Sequence, residues 1–359
     1  MIARTSIRGA ITSAARTVFR NVPVGAWERI FPKDVIALCY HMVSDERLPH
    51  MRLYDYKSSH EFERDVLFAK SRSISYDELL KIRTTDKKAS AHRFFFTFDD
   101  GFAECYTVIR PILLRHSVDA AFFVVTDYLD DREPFVECRL SLLLEQIERA
   151  DDERLAAVSS AVREFAIVGD REETAEKRMA TARFTSGGNA LRVQAARAVL
   201  GLEADDRSAL EACGRILGVG GTADGRQIFL SREQVRQLSN DGFTIVSHAR
   251  QHRLLEYRGI GEIEDEIVAS CEEVRRITGQ SHVPFAFPYR GVNVDRQKIA
   301  EIMSRHPWIE LIFDSGYMRR DPPFIVNRVF NDTPSTDAES NIPGVLREAW
   351  SSPSAWHRV

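Results

Sequence analysis

Five short runs along the chain are apolar on both faces, and helical patterns lie between them. Val35–Tyr40, Phe94–Phe98, Ala120–Val125, Phe243–Ser247 and Pro284–Pro288 lack the alternation of a half-exposed strand. That is the pattern of parallel strands covered by helices. Ser59–Ser71, Ala103–Leu114, Ile263–Thr278 and Asp295–Ser304 carry helical spacing, and Gly279 follows the third where a left-handed residue ends a helix. Strand and helix in alternation predict a parallel α/β fold, either a barrel or a doubly wound sheet.

The rhythm breaks between about 133 and 226. This stretch is charged and rich in Ala and Leu, with helical spacing at Leu140, Leu143, Leu144 and Ile147, and it ends at Gly218, Gly220, Gly221 and Gly225. It reads as a helical insertion between two barrel strands. Its glycines do not stand between a strand and a helix, so they suit a hinge or tether better than a phosphate loop. Ser231–Gln234 has the form of a capping box that restarts the main fold. The expected organisation is a basic segment over 1–33, the first part of the barrel over 34–132, the insertion over 133–226, the second part of the barrel over 227–335 and a tail over 336–359.

Charge and cysteine usage narrow the function. A formal net charge of −4 supplies no global basic field for nucleic acid. Five scattered cysteines, none in a CxxC pair, argue against a disulfide framework and against a Cys-rich zinc site. A reducing, cytoplasmic setting fits them. No stretch reaches the roughly 18–20 apolar residues that cross a bilayer. Arg4, Arg8, Arg16 and Arg20 precede the first acidic residue, Glu28. As a helix this segment could make weak peripheral contact with an anionic inner-membrane surface, although an ordinary docking helix explains it better.

Four strand ends carry the chemistry. Asp99-Asp100-Gly101 follows the run Phe94–Phe98, at the strand end where α/β barrels gather their active sites. Two adjacent carboxylates there would repel, a cost best offset by a cation or a shared proton; Asp-Gly is also an ordinary turn signal. Ser247-His248-Ala249-Arg250-Gln251-His252 ends another strand, and two His four apart face one ion when the local chain is helical. One carboxylate from Asp100 completes a two-His, one-carboxylate set. Phe285–Gly291 holds a Pro-Tyr turn, and Tyr40-His41 closes the first strand; alone, each reads as structural.

Together these segments resemble the polysaccharide deacetylase (NodB-homology) family of carbohydrate esterases. The likeness runs from about Val35 to Phe330 outside the insertion, and TFDDG (Thr97–Gly101) is its most specific signature. The resemblance implies a distorted (β/α) barrel and hydrolysis of N-acetyl groups from an N-acetylated oligo- or polysaccharide. It implies Asp99 as general base, with Asp100, His248 and His252 holding a divalent metal, usually zinc. At Tyr289 it implies a backbone N–H for the oxyanion. Three positions depart from the family pattern. Ala249 stands where Ser or Thr is usual, Phe287 and Arg290 flank Pro-Tyr, and Phe324–Phe330 replaces the Leu-x-His that supplies the general acid. In members that begin with a Tyr-His strand, that His takes the acid role, which makes His41 the expected acid.

Two other functions share parts of the pattern. A catalytically silent glycan-binding homologue would fit the missing carboxyl-terminal His. A non-haem iron oxygenase would also use two His and one carboxylate, but its usual His-x-Asp pair is missing. Arg290 and Arg328 could meet anionic substituents of a glycan.

Overall fold

A computed structural model describes residues 29, 34–85, 89, 91–132, 136–166, 171–219, 226–315, 321–335 and 339–351. The basic amino-terminal segment, Gly220, Gly221, Gly225 and much of the expected tail lie outside the described residues. Seven parallel strands close into a barrel in sequence order. They are β1 (Val35–Tyr40), β2 (Arg93–Phe98), β3 (Ala120–Val124), β4 (Thr244–Ser247), β5 (Phe285–Ala286), β6 (Ile312–Asp314) and β7 (Ile325–Phe330). The expected (β/α) barrel is therefore the fold, and the doubly wound sheet is not. Two of the strands, β6 and β7, were not anticipated from the sequence.

Residue parity decides what the barrel encloses. Ala37, Phe95, Ala121, Phe123, Val246, Ala286, Phe313 and Val326 form one buried cluster, one inward position per strand and two on β3. Phe94, Phe96 and Phe98 take the opposite face of β2. There Phe96 and Phe98 pack with Tyr40 and Phe62, at centroid separations of 5.4–6.3 Å. Helix α1 (Ser59–Ala69), which brings Phe62, starts at a capping box of Ser58 and Glu61. At the amino-terminal end of the strands, Tyr76 and Leu79 of α2 (Tyr76–Thr84) join the inner cluster and plug the barrel. Function is thus left to the other rim.

The chain divides into two compact units. The first holds the barrel: the described residues up to Val43, Lys57–Thr126 and those from Arg232 onward. The second comprises Ser44–Tyr56 and Asp127–Ser231. Segment 44–56, counted with the barrel on sequence grounds, therefore groups with the helical unit. That unit has its own core, in which Leu140, Leu143, Leu144 and Ile147 of α3 (Val136–Ile147) meet Leu155, Val158, Val199, Leu200, Leu210 and Leu217. Its Arg52 is buried and reaches Glu145 at 2.9 Å and Glu148 at 2.5 Å, which satisfies a charge that would otherwise be costly to enclose.

Phe95 sits at the barrel axis, 6.3 Å from Phe313 and 6.4 Å from Tyr76 between ring centroids. Phe95→Ala should lower unfolding stability by about 3–5 kcal/mol through the cavity it leaves. Urea denaturation of the variant checks this, and a loss below about 1 kcal/mol would mean the barrel interior is not close-packed there.

Candidate active site

Inward parity carries three strands to the carboxyl-terminal rim with polar residues. On β2 the inward series runs Phe95, Thr97, Asp99; on β4 it runs Val246, His248; on β7 it runs Val326, Arg328. After Asp99 the chain turns sharply. Asp100 and Gly101 both lie in the left-handed region, at φ 68° and 72°, and Gly101 donates its N–H to the Asp99 carbonyl at 2.9 Å. Glycine is needed at 101 because an added Cβ would stand 3.4 Å from Val124 in an already unfavourable φ. The turn swings adjacent carboxylates into different surroundings.

Asp100 faces the two histidines. Its Oδ1 lies 3.1 Å from His252 Nε2 and 3.6 Å from His248 Nε2. All three residues are buried, and their ligand atoms lie within 4.8 Å of one another. The expected helical geometry for His248 and His252 is not what joins them. The segment is irregular, with Ala249 at φ 64° and His252 at φ 50°, and this bent loop brings the ring centroids to 5.0 Å. Non-glycine residues held at positive φ collect at functional sites, where surrounding structure supports the strain. Ala249 belongs to that loop, and its carbonyl accepts from Thr126 N–H at 3.2 Å.

The donor set suits a cation. His248 Nδ1 is 3.1 Å from the Ala286 carbonyl, which fixes the proton on Nδ1 and turns the Nε2 lone pair to the cluster. Burial lowers the His248 pKa to about 4, so the imidazole is neutral near pH 7. Neither oxygen of the buried Asp100 receives a hydrogen bond of acceptable geometry. A buried carboxylate in that condition is costly, and burial by itself would raise its pKa. His252 above all, then His41, more than reverses this and holds it below the usual range. Two ligands at the tetrahedral angle on zinc stand about 3.4 Å apart, which the 3.1 and 3.6 Å separations bracket.

Asp99 has a different partner. Arg328 forms a bidentate pair with it, through Nη1 to Oδ1 and through Nη2 to Oδ2 at 2.9 Å. Arg328 is 1% exposed, and its guanidinium lies 4.6 Å from the Phe123 ring centroid, a cation–π approach. Burial pushes the Asp99 pKa up, but Arg328 above all holds the carboxyl far below the ordinary range. Arg328 is thus no contact for an anionic substituent, as sequence alone allowed, but a buried partner of the carboxylate. Arg290 is instead exposed and binds Glu256 at 3.1 Å. The only sequence signal for Arg328 was an arginine on the inward parity of an otherwise apolar run.

His41 lies across from Asp99, its Nε2 3.9 Å from Asp99 Oδ2. Asp332, just past β7, accepts from both the His41 backbone N–H and Nδ1, each at 2.8 Å. The His41 ring also stacks on Phe330 at 5.9 Å. Burial favours the neutral ring, but Asp332 outweighs it and raises the pKa to about 10. Tyr289, at φ 57°, packs its ring 4.5 Å from His252, and its carbonyl accepts from the Ser315 hydroxyl. All six expected site residues therefore meet at one rim of the barrel unit. Sequence reasoning missed Arg328 and Asp332 as their partners.

Removing Arg328 would leave Asp99 buried and unpaired. Arg328→Leu should cost about 3–5 kcal/mol at neutral pH, and adding Asp99→Asn should restore most of it. A double-mutant cycle by denaturation measures this coupling. Additive losses would show that the pair is not the source.

The sequence matches the polysaccharide deacetylase family profile over residues 191–308, a span that holds β4, β5 and the His248–His252 loop but not TFDDG. No curated protein matches the sequence. Solved structures similar to it include the Streptococcus pyogenes deacetylase PplD in complex with acetate, at 14% identity and a TM-score of 0.49, over 90% of this chain and 100% of that one. IcaB from Ammonifex degensii follows at 13% and 0.49, over 89% and 98%. A de-N-acetylase from Aggregatibacter actinomycetemcomitans stands at 15% and 0.48, over 87% and 99%. The matched span takes in two of the seven strands of the closed parallel barrel, β4 and β5, and TFDDG lies at the same rim outside it.

Proposed function

We propose that this chain is a metal-dependent deacetylase that hydrolyses N-acetyl groups of an N-acetylated oligo- or polysaccharide and releases acetate. The observation that carries the reading is the juxtaposition, on one rim, of the Asp100–His248–His252 triad with a carboxylate held ionised and an imidazole held protonated. Oppositely displaced pKa values in neighbouring groups are how a site assigns a base and an acid. A divalent cation, zinc by its preference for two imidazoles and a carboxylate, would be held by Asp100, His248 and His252. Bound there, it would polarise the acetamide carbonyl and lower the pKa of a water.

The chain's own residues supply the proton transfers. Asp99, kept ionised and oriented by Arg328, takes the proton as water attacks the carbonyl carbon. The backbone N–H of Tyr289 donates to the oxyanion that develops. His41 Nε2, protonated because Asp332 holds Nδ1, gives its proton to the leaving nitrogen. That donation is needed because an unprotonated amide nitrogen is a very poor leaving group. The glycan expected is a chitooligosaccharide-like chain, an exopolysaccharide or a lipid-linked intermediate. The His41–Asp332 couple favours catalysis over a silent binding role, since it supplies an acid without a carboxyl-terminal Leu-x-His.

Acetate release from N-acetylglucosamine oligomers and lipid-linked glycans, with and without chelator, tests the reading. Asp99→Asn should lower turnover by about 10²–10⁴-fold while metal content is kept, whereas Asp100→Ala should lose both. Near-normal turnover in Asp99→Asn would remove it as the base.

The pH profile tests the acid. His41 works protonated, so kcat/KM should fall as pH rises through its pKa, about 10 in the free protein. Asp332 is what raises that value, so Asp332→Asn should move the alkaline limb to lower pH. An unmoved limb would assign it to another group.

A further inference from the structure

A second set of ligand atoms stands beside the first, made of Cys39 in β1 and the residues that directly follow β1 and β2, His41 and Asp99. Cys39 Sγ, His41 Nε2 and a carboxylate oxygen of Asp99 offer sulfur, nitrogen and oxygen within 4.8 Å of one another. We propose that Cys39, His41 and Asp99 form a second, inhibitory site for a thiophilic divalent cation such as Zn2+ or Cd2+. Geometry is the first support. Cys39 Sγ is 3.5 Å from Asp99 Oδ2, and a sulfur and an oxygen at the tetrahedral angle on zinc stand about 3.6 Å apart. His41 Nε2 is 3.9 Å from the same oxygen, about half an ångström beyond the ideal nitrogen–oxygen separation.

Bonding capacity is the second. Asp99 Oδ2 accepts one hydrogen bond from Arg328 Nη2, and a carboxylate oxygen has a second lone pair. That lone pair meets the Cys39 thiol, so a cation would replace the thiol proton without displacing Arg328. Asp332 and Phe330 hold the His41 ring from its Nδ1 side and its face, which aims Nε2 at the site. Binding releases the thiol proton, and any proton on His41 Nε2, to solvent, since a coordinating thiol is deprotonated. Arg328 offsets part of the negative charge that the thiolate and Asp99 bring together. The cation would occupy the proposed base and the proposed acid at once, so it would block turnover rather than assist it.

The full chain, stripped with chelator and titrated with Cd2+, provides the test. A thiolate-to-metal charge-transfer absorption should develop, with two equivalents bound at saturation. It should vanish in Cys39→Ser, which binds one equivalent, and persist in Asp100→Ala, where the first site is broken. No such absorption in the unmodified chain, or its survival in Cys39→Ser, would overturn the proposal. Should Cys39→Ser fail to fold, Cys39→Ala carries the same test, with the absorption again expected to vanish. The inhibition rests on the deacetylase reading. There the Zn2+ concentration that halves acetate release should rise at least tenfold in Cys39→Ser, and an unchanged value would overturn the inhibitory role. An absent acetate release with the absorption intact would reject the activity and support the site.

Discussion

The pair between Arg328 and Asp99 is the constraint on which the rim depends. It joins the last strand to the second across the barrel interior, with both charges enclosed. Neither charge is tolerable alone in that position, so the two must arrive together. The guanidinium lies over Phe123 from β3, so three strands contribute to a single ionised carboxylate. Because Arg328 takes both oxygens of Asp99 on one side, their remaining lone pairs are turned to the Cys39 and His41 side. The neighbouring carboxylate of Asp100, carried off by a left-handed turn, is left to the histidines. Two residues adjacent in sequence thereby acquire unlike chemistry.

Most of the barrel was legible in the sequence because parallel strands buried on both faces read as uninterrupted apolar runs. β1 through β5 fall on such runs. β6 has three residues, too few to show any period, and β7 was hidden by Asn327 and Arg328. The polar residue that concealed β7 as a strand is the one that faces the site. A buried functional charge spoils the very pattern by which its strand would be found.

The site was legible as residue types but not as geometry. TFDDG and the His-x3-His spacing marked side chains that the fold brings to one rim. The means of bringing His248 and His252 together, two left-handed residues in an irregular loop, has no signature in an Ala or a His. Asp332 is 291 residues from His41, and nothing local announces that pairing. It arises because β1 and β7 are the strands that close the barrel, with Asn331 N–H bonded to the Cys39 carbonyl. Closure, a property of the whole sheet, sets Asp332 beside His41.

That closure also explains how one small space can hold a carboxylate and an imidazole with opposite pKa displacements. Asp99 and His41 are 3.9 Å apart at their nearest atoms. Left alone, a carboxylate and an imidazole so close would share a proton or form a simple ion pair. Each is instead committed elsewhere: Asp99 through both oxygens to Arg328, His41 through Nδ1 to Asp332. The counter-charges displace the two pKa values in opposite directions, down for Asp99 and up for His41. A proton on His41 therefore has little tendency to pass to Asp99 in the resting site. Both opposite displacements are set by β7 and the two residues after it, which hold the counter-charges within five positions of one another, Arg328 and Asp332.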